Sequence, residues 1–246
     1  MKTPNGNDPT VVDHLAELRG RLSKCLIAVA VGSVLGIVFA KKIFLILSLP
    51  LGKILGPQGA FLATSPFESF STYFKVALLA GFFLSLPVIF YQLWRFIAPG
   101  LKAREKKIVL PFTIASTFLF VTGALFGYFV IFPTGFFYAA KLLDGTGILL
   151  MPKMADYLGL ATTLLFAFGI IFELPFIIIF LTRIGLFTPE FLAKNRKYAI
   201  LLNFIIAAVL TPTPDVFNQL LMAGPLIILY EVGIIGARIL RKKEEV

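Results

Sequence analysis

The residues able to do chemistry in this chain are few and widely separated. Glu173 is the only charge in the run 157–182, where it sits within FGIIFELPFIII. An ionised side chain facing lipid at that depth costs at least about 2.5–3.5 kcal/mol on insertion scales, so the carboxyl must face protein or water. Glu17 lies in HLAELRGRL (14–22), four residues before Arg21, the spacing of an i,i+4 pair on a helix. Glu105 lies among Lys102, Arg104, Lys106 and Lys107, whose charge it can simply offset on a solvated loop. Asp215 and Glu231 bracket the last apolar segment as end markers at headgroup depth, and Gln219 follows Asp215 by one helical turn. Metal binding and covalent catalysis have no residue set: His14 and Cys25 stand alone in their types, and no GxxxxGK[ST] loop occurs. The sequence thus offers no cofactor site, and any energy source must come from elsewhere.

Composition says what must hold them. A 246-residue chain that is 58% apolar, with a mean hydropathy of +0.91, reads as a membrane protein. Cutting it at its charges leaves apolar segments at 25–40, 76–94, 108–140, 157–182, 198–210 and 216–230. A helix needs about 20 apolar residues to cross a hydrocarbon core of about 30 Å. The second, third and fourth segments meet this, and the first does so if Lys24 and Lys41 snorkel. The last two are short. They either cross where the bilayer thins or fold back as a re-entrant hairpin, and the polar markers at both ends of each favour crossing.

The predicted fold is therefore an all-α integral membrane protein, 1–246 forming a single membrane domain with six spans at about 22–42, 70–98, 106–138, 156–183, 197–211 and 215–237. Lys and Arg cluster at 2–24, 95–107, 183–197 and 238–243, while Lys41, Lys42, Lys53, Lys75, Lys141 and Lys153 fall to the other side. The positive-inside rule then puts both termini in the cytoplasm. This accounts for the net charge of +10 without a nucleic-acid partner.

Ahead of the first span, Asp8 and Pro9 read as a helix start, and Val11, Leu15, Leu18 and Leu22 fall on one stripe, which predicts an interfacial amphipathic helix over 8–24. An outer cap of short helices is expected over 43–69, where Pro50, Gly52, Gly56, Pro57 and Pro66 punctuate the chain. Pro87, Pro111, Pro133, Pro175 and Pro225 fall within spans and should kink them, so that the helices enclose a concave face. Gly32 and Gly36, in GSVLG, suit a close helix contact, although that spacing is common.

Four stretches together, HLAELRGRL (14–22), YQLWRFIAPGLKAREKK (91–107), FELP (172–175) and LTPTPDVFNQ (210–219), resemble the TatC family, the multispanning core of the twin-arginine protein translocase. They cover nearly the whole chain in the expected order. One departure is Thr213, inserted between prolines where a plainer Pro-Pro-Asp is expected.

The resemblance implies a receptor in the cytoplasmic (inner) membrane that binds twin-arginine signal peptides of folded cargo. It also implies assembly with single-span TatA-type and TatB-type subunits, self-association within the complex and transport driven by the proton-motive force. On that basis Glu17, Arg19, Phe96 and Glu105 are candidates for signal-peptide binding, the carboxylates because they bond a guanidinium fork in bidentate fashion. Phe96 would touch the residues beside the arginine pair, unless it and Trp94 are an aromatic belt. Glu173 and Gln219 become candidates for contact with partner spans, Glu173 from a water-reachable hollow, and Pro50 and Asp215 for structural turns. The alternative is a proton-coupled secondary transporter of a small solute with Glu173 as its ligand; a purely structural scaffold is the third reading.

Overall fold

The computed structural model describes residues 11–55, 61–97, 109–143, 145–146, 151–210 and 216–244. No proline falls within residues 11–49, and the expected interfacial segment and first span form one continuous helix, α1 (Val11–Leu55). This helix runs on through Pro50, so residues 43–55, expected in an outer cap, extend α1. Pro50 is no terminating turn, because only the one bond its missing N–H would have made is lost.

Helix α2 (Pro66–Ile97) starts with proline at its first position, where the absent N–H costs nothing. There follow α3 (Val109–Phe126), a π-helical turn (Gly127–Ile131) and α4 (Phe132–Leu143). The wide turn precedes Pro133, whose ring would otherwise meet the carbonyl of Phe129, and the Phe132 N–H reaches back to the Gly127 carbonyl. Helices α5 (Met154–Phe172) and α6 (Leu174–Arg183) are separated by a break at Glu173. The short α7 (Pro189–Lys194) is capped by Thr188, whose Oγ1 accepts from the Phe191 N–H at 3.1 Å. Then come α8 (Arg196–Leu210) and α9 (Val216–Glu244).

Five stretches of the described residues are long and apolar enough to cross a membrane: His14–Leu55, Pro66–Ile97, Val109–Leu143, Met154–Arg183 and Val216–Ile239. At 15 residues, α8 covers only about 22 Å. Of the two helices expected to be short, α9 reaches 29 residues, because it continues past Glu231. That carboxylate is met by Arg196, with Nε to Oε1 at 2.6 Å and Nη2 to Oε2 at 2.8 Å.

The helices gather into two compact units, one formed by the described parts of 1–39 and 77–117, the other by those of 40–76 and 118–246. In the first unit, α1 and α2 meet through small residues. A Cβ on Gly32 would lie 2.8 Å from the Gly81 carbonyl oxygen, and one on Gly36 would lie 2.6 Å from that of Ala77. A Cβ on Gly81 would sit 2.2 Å from Ser33 Oγ, so only glycine lets the backbones come this close. Trp94 is 6% exposed, and its Nε1 donates to Ser116 Oγ at 3.0 Å. It is packed inside this unit and is not part of an aromatic belt, because its N–H finds a protein acceptor.

In the second unit, Pro50 leaves the carbonyl of Ile46 without its helical donor, and the Tyr128 hydroxyl supplies one. The adjacent Leu47 carbonyl accepts from the Tyr157 hydroxyl. Nearby, the Glu68 carboxylate accepts from the Thr64 N–H at 2.6 Å and Thr64 Oγ1 at 2.8 Å, and also from the Ala155 N–H at 3.0 Å. It thereby ties the start of α2 to the first turn of α5, where Leu62 and Lys153 form a parallel bridge. On α9, Gly233 and Gly236 admit the side chains of Ile178 and Ile179 of α6.

This packing makes two outcomes measurable. Tyr157→Phe strips a donor from a buried carbonyl and should destabilise the fold by about 1–3 kcal/mol, read by reversible unfolding in mixed micelles; an unchanged stability would mean that the Leu47 carbonyl does not depend on this hydroxyl. Gly81→Val should force α1 and α2 apart and lower the thermal midpoint of the detergent-solubilised protein by more than the same change at Gly224, where an added Cβ meets nothing within 4 Å.

Candidate functional site

The register of α1 against α2 decides which polar side chains meet. These helices run antiparallel, pairing Gly36 with Ala77 and Gly32 with Gly81. Eleven residues back along α1 from Gly32 is Arg21, and eleven residues on along α2 from Gly81 is Gln92. Eleven residues are about three helical turns, so both side chains return to the facing stripes at one level. One turn further, the same register sets Glu17 opposite Phe96.

The contacts follow this geometry. Arg21 Nε donates to Glu17 Oε1 at 3.0 Å, and Nη2 donates to the same oxygen. Its remaining nitrogen, Nη1, donates to Gln92 Oε1 at 3.3 Å. Glu17 Oε2 lies 3.9 Å from His14 Nδ1, and the His14 ring stacks on Phe96 with centroids 4.6 Å apart and planes at 27°. The side chains of Glu17 and Arg21 are 36% and 15% exposed, so the carboxylate is the reachable part of the pair and the guanidinium is mostly covered. An exposed carboxylate beside an aromatic face can accept a cationic side chain while an apolar neighbour packs on the ring.

Among the residues singled out from sequence, Glu17 and Phe96 are brought together. Arg19 is not: two residues from Glu17 it points about 200° away around the helix, and it is exposed. Glu105 and Asp215 lie outside the described residues. The cluster also contains Arg21, His14 and Gln92, to which sequence reasoning gave no binding role. Its signals were the 14, 17, 21 spacing on α1 and the 92, 96 spacing on α2, each of which marks one helix face.

Glu173 closes α5, its N–H bonding the Ile170 carbonyl at 3.1 Å and its own carbonyl accepting from the Ile177 N–H at 2.8 Å. Pro175, two residues on, cannot continue the ladder of α5, so the break falls here. The residue is 7% exposed. A pocket of about 180 Å³ does exist in this unit, walled by Phe132, Gly135 and Phe136 on one side, Leu160 and Leu164 of α5 on another, and Asn218 and Met222 of α9. Glu173 does not line it. Gln219 donates from Nε2 to the Phe204 carbonyl at 3.2 Å, linking α9 to α8 within the chain. No group of three or more metal-ligating side chains occurs among the described residues.

Against this geometry, comparison with known proteins is specific. The family model described as Sec-independent protein translocase protein (TatC) matches residues 13–225. Among curated relatives, the Sec-independent protein translocase protein TatC of Desulforapulum autotrophicum is 49% identical over 95% of this chain and 86% of its own length. Those of Aquifex aeolicus and Escherichia coli are 41% and 40% identical over 96% and 93% of this chain, covering 98% and 88% of theirs. Two crystal structures described as the twin arginine translocase receptor TatC superpose with TM-scores of 0.78 and 0.79 at 40% and 41% identity. They cover 92% and 90% of this chain, and 98% of each of theirs is matched. Sequence and fold agree along almost the whole length, and the chain belongs to the TatC family of Sec-independent protein translocase proteins.

Proposed function

We infer that this chain is the receptor of a twin-arginine translocase, an integral membrane protein that captures the arginine pair in the signal peptides of folded cargo. The observation that carries the reading is the cluster of Glu17, His14 and Phe96, an exposed carboxylate beside an aromatic face at the basic end of α1 and α2. A guanidinium bonds such a carboxylate through its planar fork, and the residues flanking the arginines pack on the ring. Glu105, in the basic stretch of sequence that follows Phe96, is the second candidate carboxylate. The many cations around both acids repel basic peptides that do not reach a carboxylate closely.

On this reading both termini and the cluster face the cytoplasm, the membrane is the inner membrane, and single-span TatA-type and TatB-type subunits assemble on the chain, which also self-associates. Transport of the folded cargo draws on the proton-motive force. Glu173 and Gln219 serve in that assembly as polar contacts for partner spans. The match to translocase proteins along most of the chain weighs against proton-coupled solute transport.

Glu17→Gln should weaken binding of a synthetic Arg-Arg signal peptide to the folded, detergent-solubilised protein by about tenfold, the loss of a charge-assisted bond, with Glu105→Gln acting in the same direction. Unchanged affinity in the double variant would exclude both from the site. For orientation, single cysteines at Lys197 and Lys53, placed in a chain with Cys25→Ser, should be labelled by an impermeant reagent from the cytoplasmic and the outer side respectively; the reverse pattern would overturn the topology.

A further inference from the structure

Glu17 is the group that the signal arginine is to engage, yet in this structure it is already engaged by an arginine of its own chain. Arg21 places two donors, Nε and Nη2, on the single oxygen Oε1. It does not form the side-by-side fork in which each carboxylate oxygen takes one donor. Oε2 accepts no hydrogen bond among the described residues, and His14 Nδ1 lies 3.9 Å from it. Arg21 has a second hold, through Nη1 to Gln92 Oε1. It is therefore suspended between a charged acceptor and a neutral one on the facing helix.

We propose that Arg21 is an internal competitor for Glu17, and that this competition makes the site select arginine over lysine. The proposal rests on the reading of Glu17 as a signal-peptide contact. A lysine arriving at Oε2 finds a carboxylate whose charge is already balanced by Arg21. It gains little Coulomb attraction, is repelled by the neighbouring guanidinium and can make only a point contact. An arginine arriving at the same oxygen carries a planar fork that can span Oε2 and Oε1 once Arg21 yields. The exchange then swaps one guanidinium for another at Glu17, and Arg21 keeps its bond to Gln92. With a lysine ligand the same displacement gives up a two-donor contact for a weaker one. The discrimination thus comes from an unfavourable alternative built into the receptor as well as from attraction to the correct ligand.

The test measures the affinities of an Arg-Arg signal peptide and its Lys-Lys twin by fluorescence anisotropy on the folded full-length protein in detergent. Wild type, Arg21→Gln, Arg21→Lys and Glu17→Gln are compared. In Arg21→Gln the Lys-Lys peptide should bind about tenfold more tightly while the Arg-Arg peptide gains less, so the preference for arginine shrinks. Arg21→Lys, which keeps the charge but not the fork, should shift the preference in the same direction by a smaller factor, and it carries the test if Arg21→Gln does not fold. An unchanged ratio of the two affinities, or equal weakening of both peptides, would overturn the proposal and make Arg21 a mere brace. Glu17→Gln separates this from the wider reading: full Arg-Arg affinity in that variant would sink Glu17 as a signal contact whatever the ratio in the Arg21 variants.

Discussion

Inside hydrocarbon, a backbone carbonyl that loses its helical donor has no water to turn to, and the architecture of this chain is organised around where such carbonyls go. Three of the prolines are answered by three different devices. At Pro50 the freed Ile46 oxygen and its neighbour Leu47 are bonded by two tyrosine hydroxyls from distant parts of the chain, which also fixes α1 against the turn after α3 and against α5. At Pro133 a π-helical turn widens the backbone ahead of the ring. At Pro175 the helix ends and restarts, and Glu173 occupies the junction. A proline in a membrane helix is thus a commitment by the rest of the fold to supply what it removed.

Close backbone contact does the corresponding work where no proline intervenes. Gly32 and Gly81 let α1 and α2 touch, and that contact fixes their antiparallel register. Three turns away the register delivers Arg21 to Gln92, and one turn beyond that it delivers Glu17 to the His14–Phe96 stack. The polar cluster at the ends of the helices is in this sense set by two glycines in their middles. Packing at one depth decides chemistry at another, because rigid helices transmit register over their length.

Much of this can be read from the sequence, and the part that cannot has physical causes. Hydropathy marked the apolar segments, and the i,i+4 spacing gave the Glu17–Arg21 pair directly, since both depend only on local order. Four motifs placed the chain in its family. What local order misses is anything that depends on a distant partner. Gln92 carries no signal of its own in the sequence, and only the helix register makes it the second acceptor for Arg21. Arg19 was a candidate through the family resemblance, and it stands on the other side of the helix from Glu17. Cutting segments at charges made α9 seem short, because the helix continues past Glu231, whose charge is met by Arg196. Pro50 read as a turn because its two tyrosine partners lie about 80 and 110 residues away. Glu173 stands buried at the junction of α5 and α6, a position that follows from Pro175 two residues on and from packing that local order does not show.

The central claim is that signal peptides are captured on the face of α1 that carries Glu17 and meets Phe96. Photo-crosslinking tests this most directly: a photoactivatable side chain is placed at Phe96 in one full-length chain and at Arg19 in another, and each is irradiated in membranes with a labelled Arg-Arg signal peptide. The account predicts a peptide adduct from position 96 that is lost when the arginine pair is replaced by Lys-Lys, and no adduct above background from position 19. An adduct from position 19 with none from position 96 would place the site on the opposite face of the helix and contradict the account.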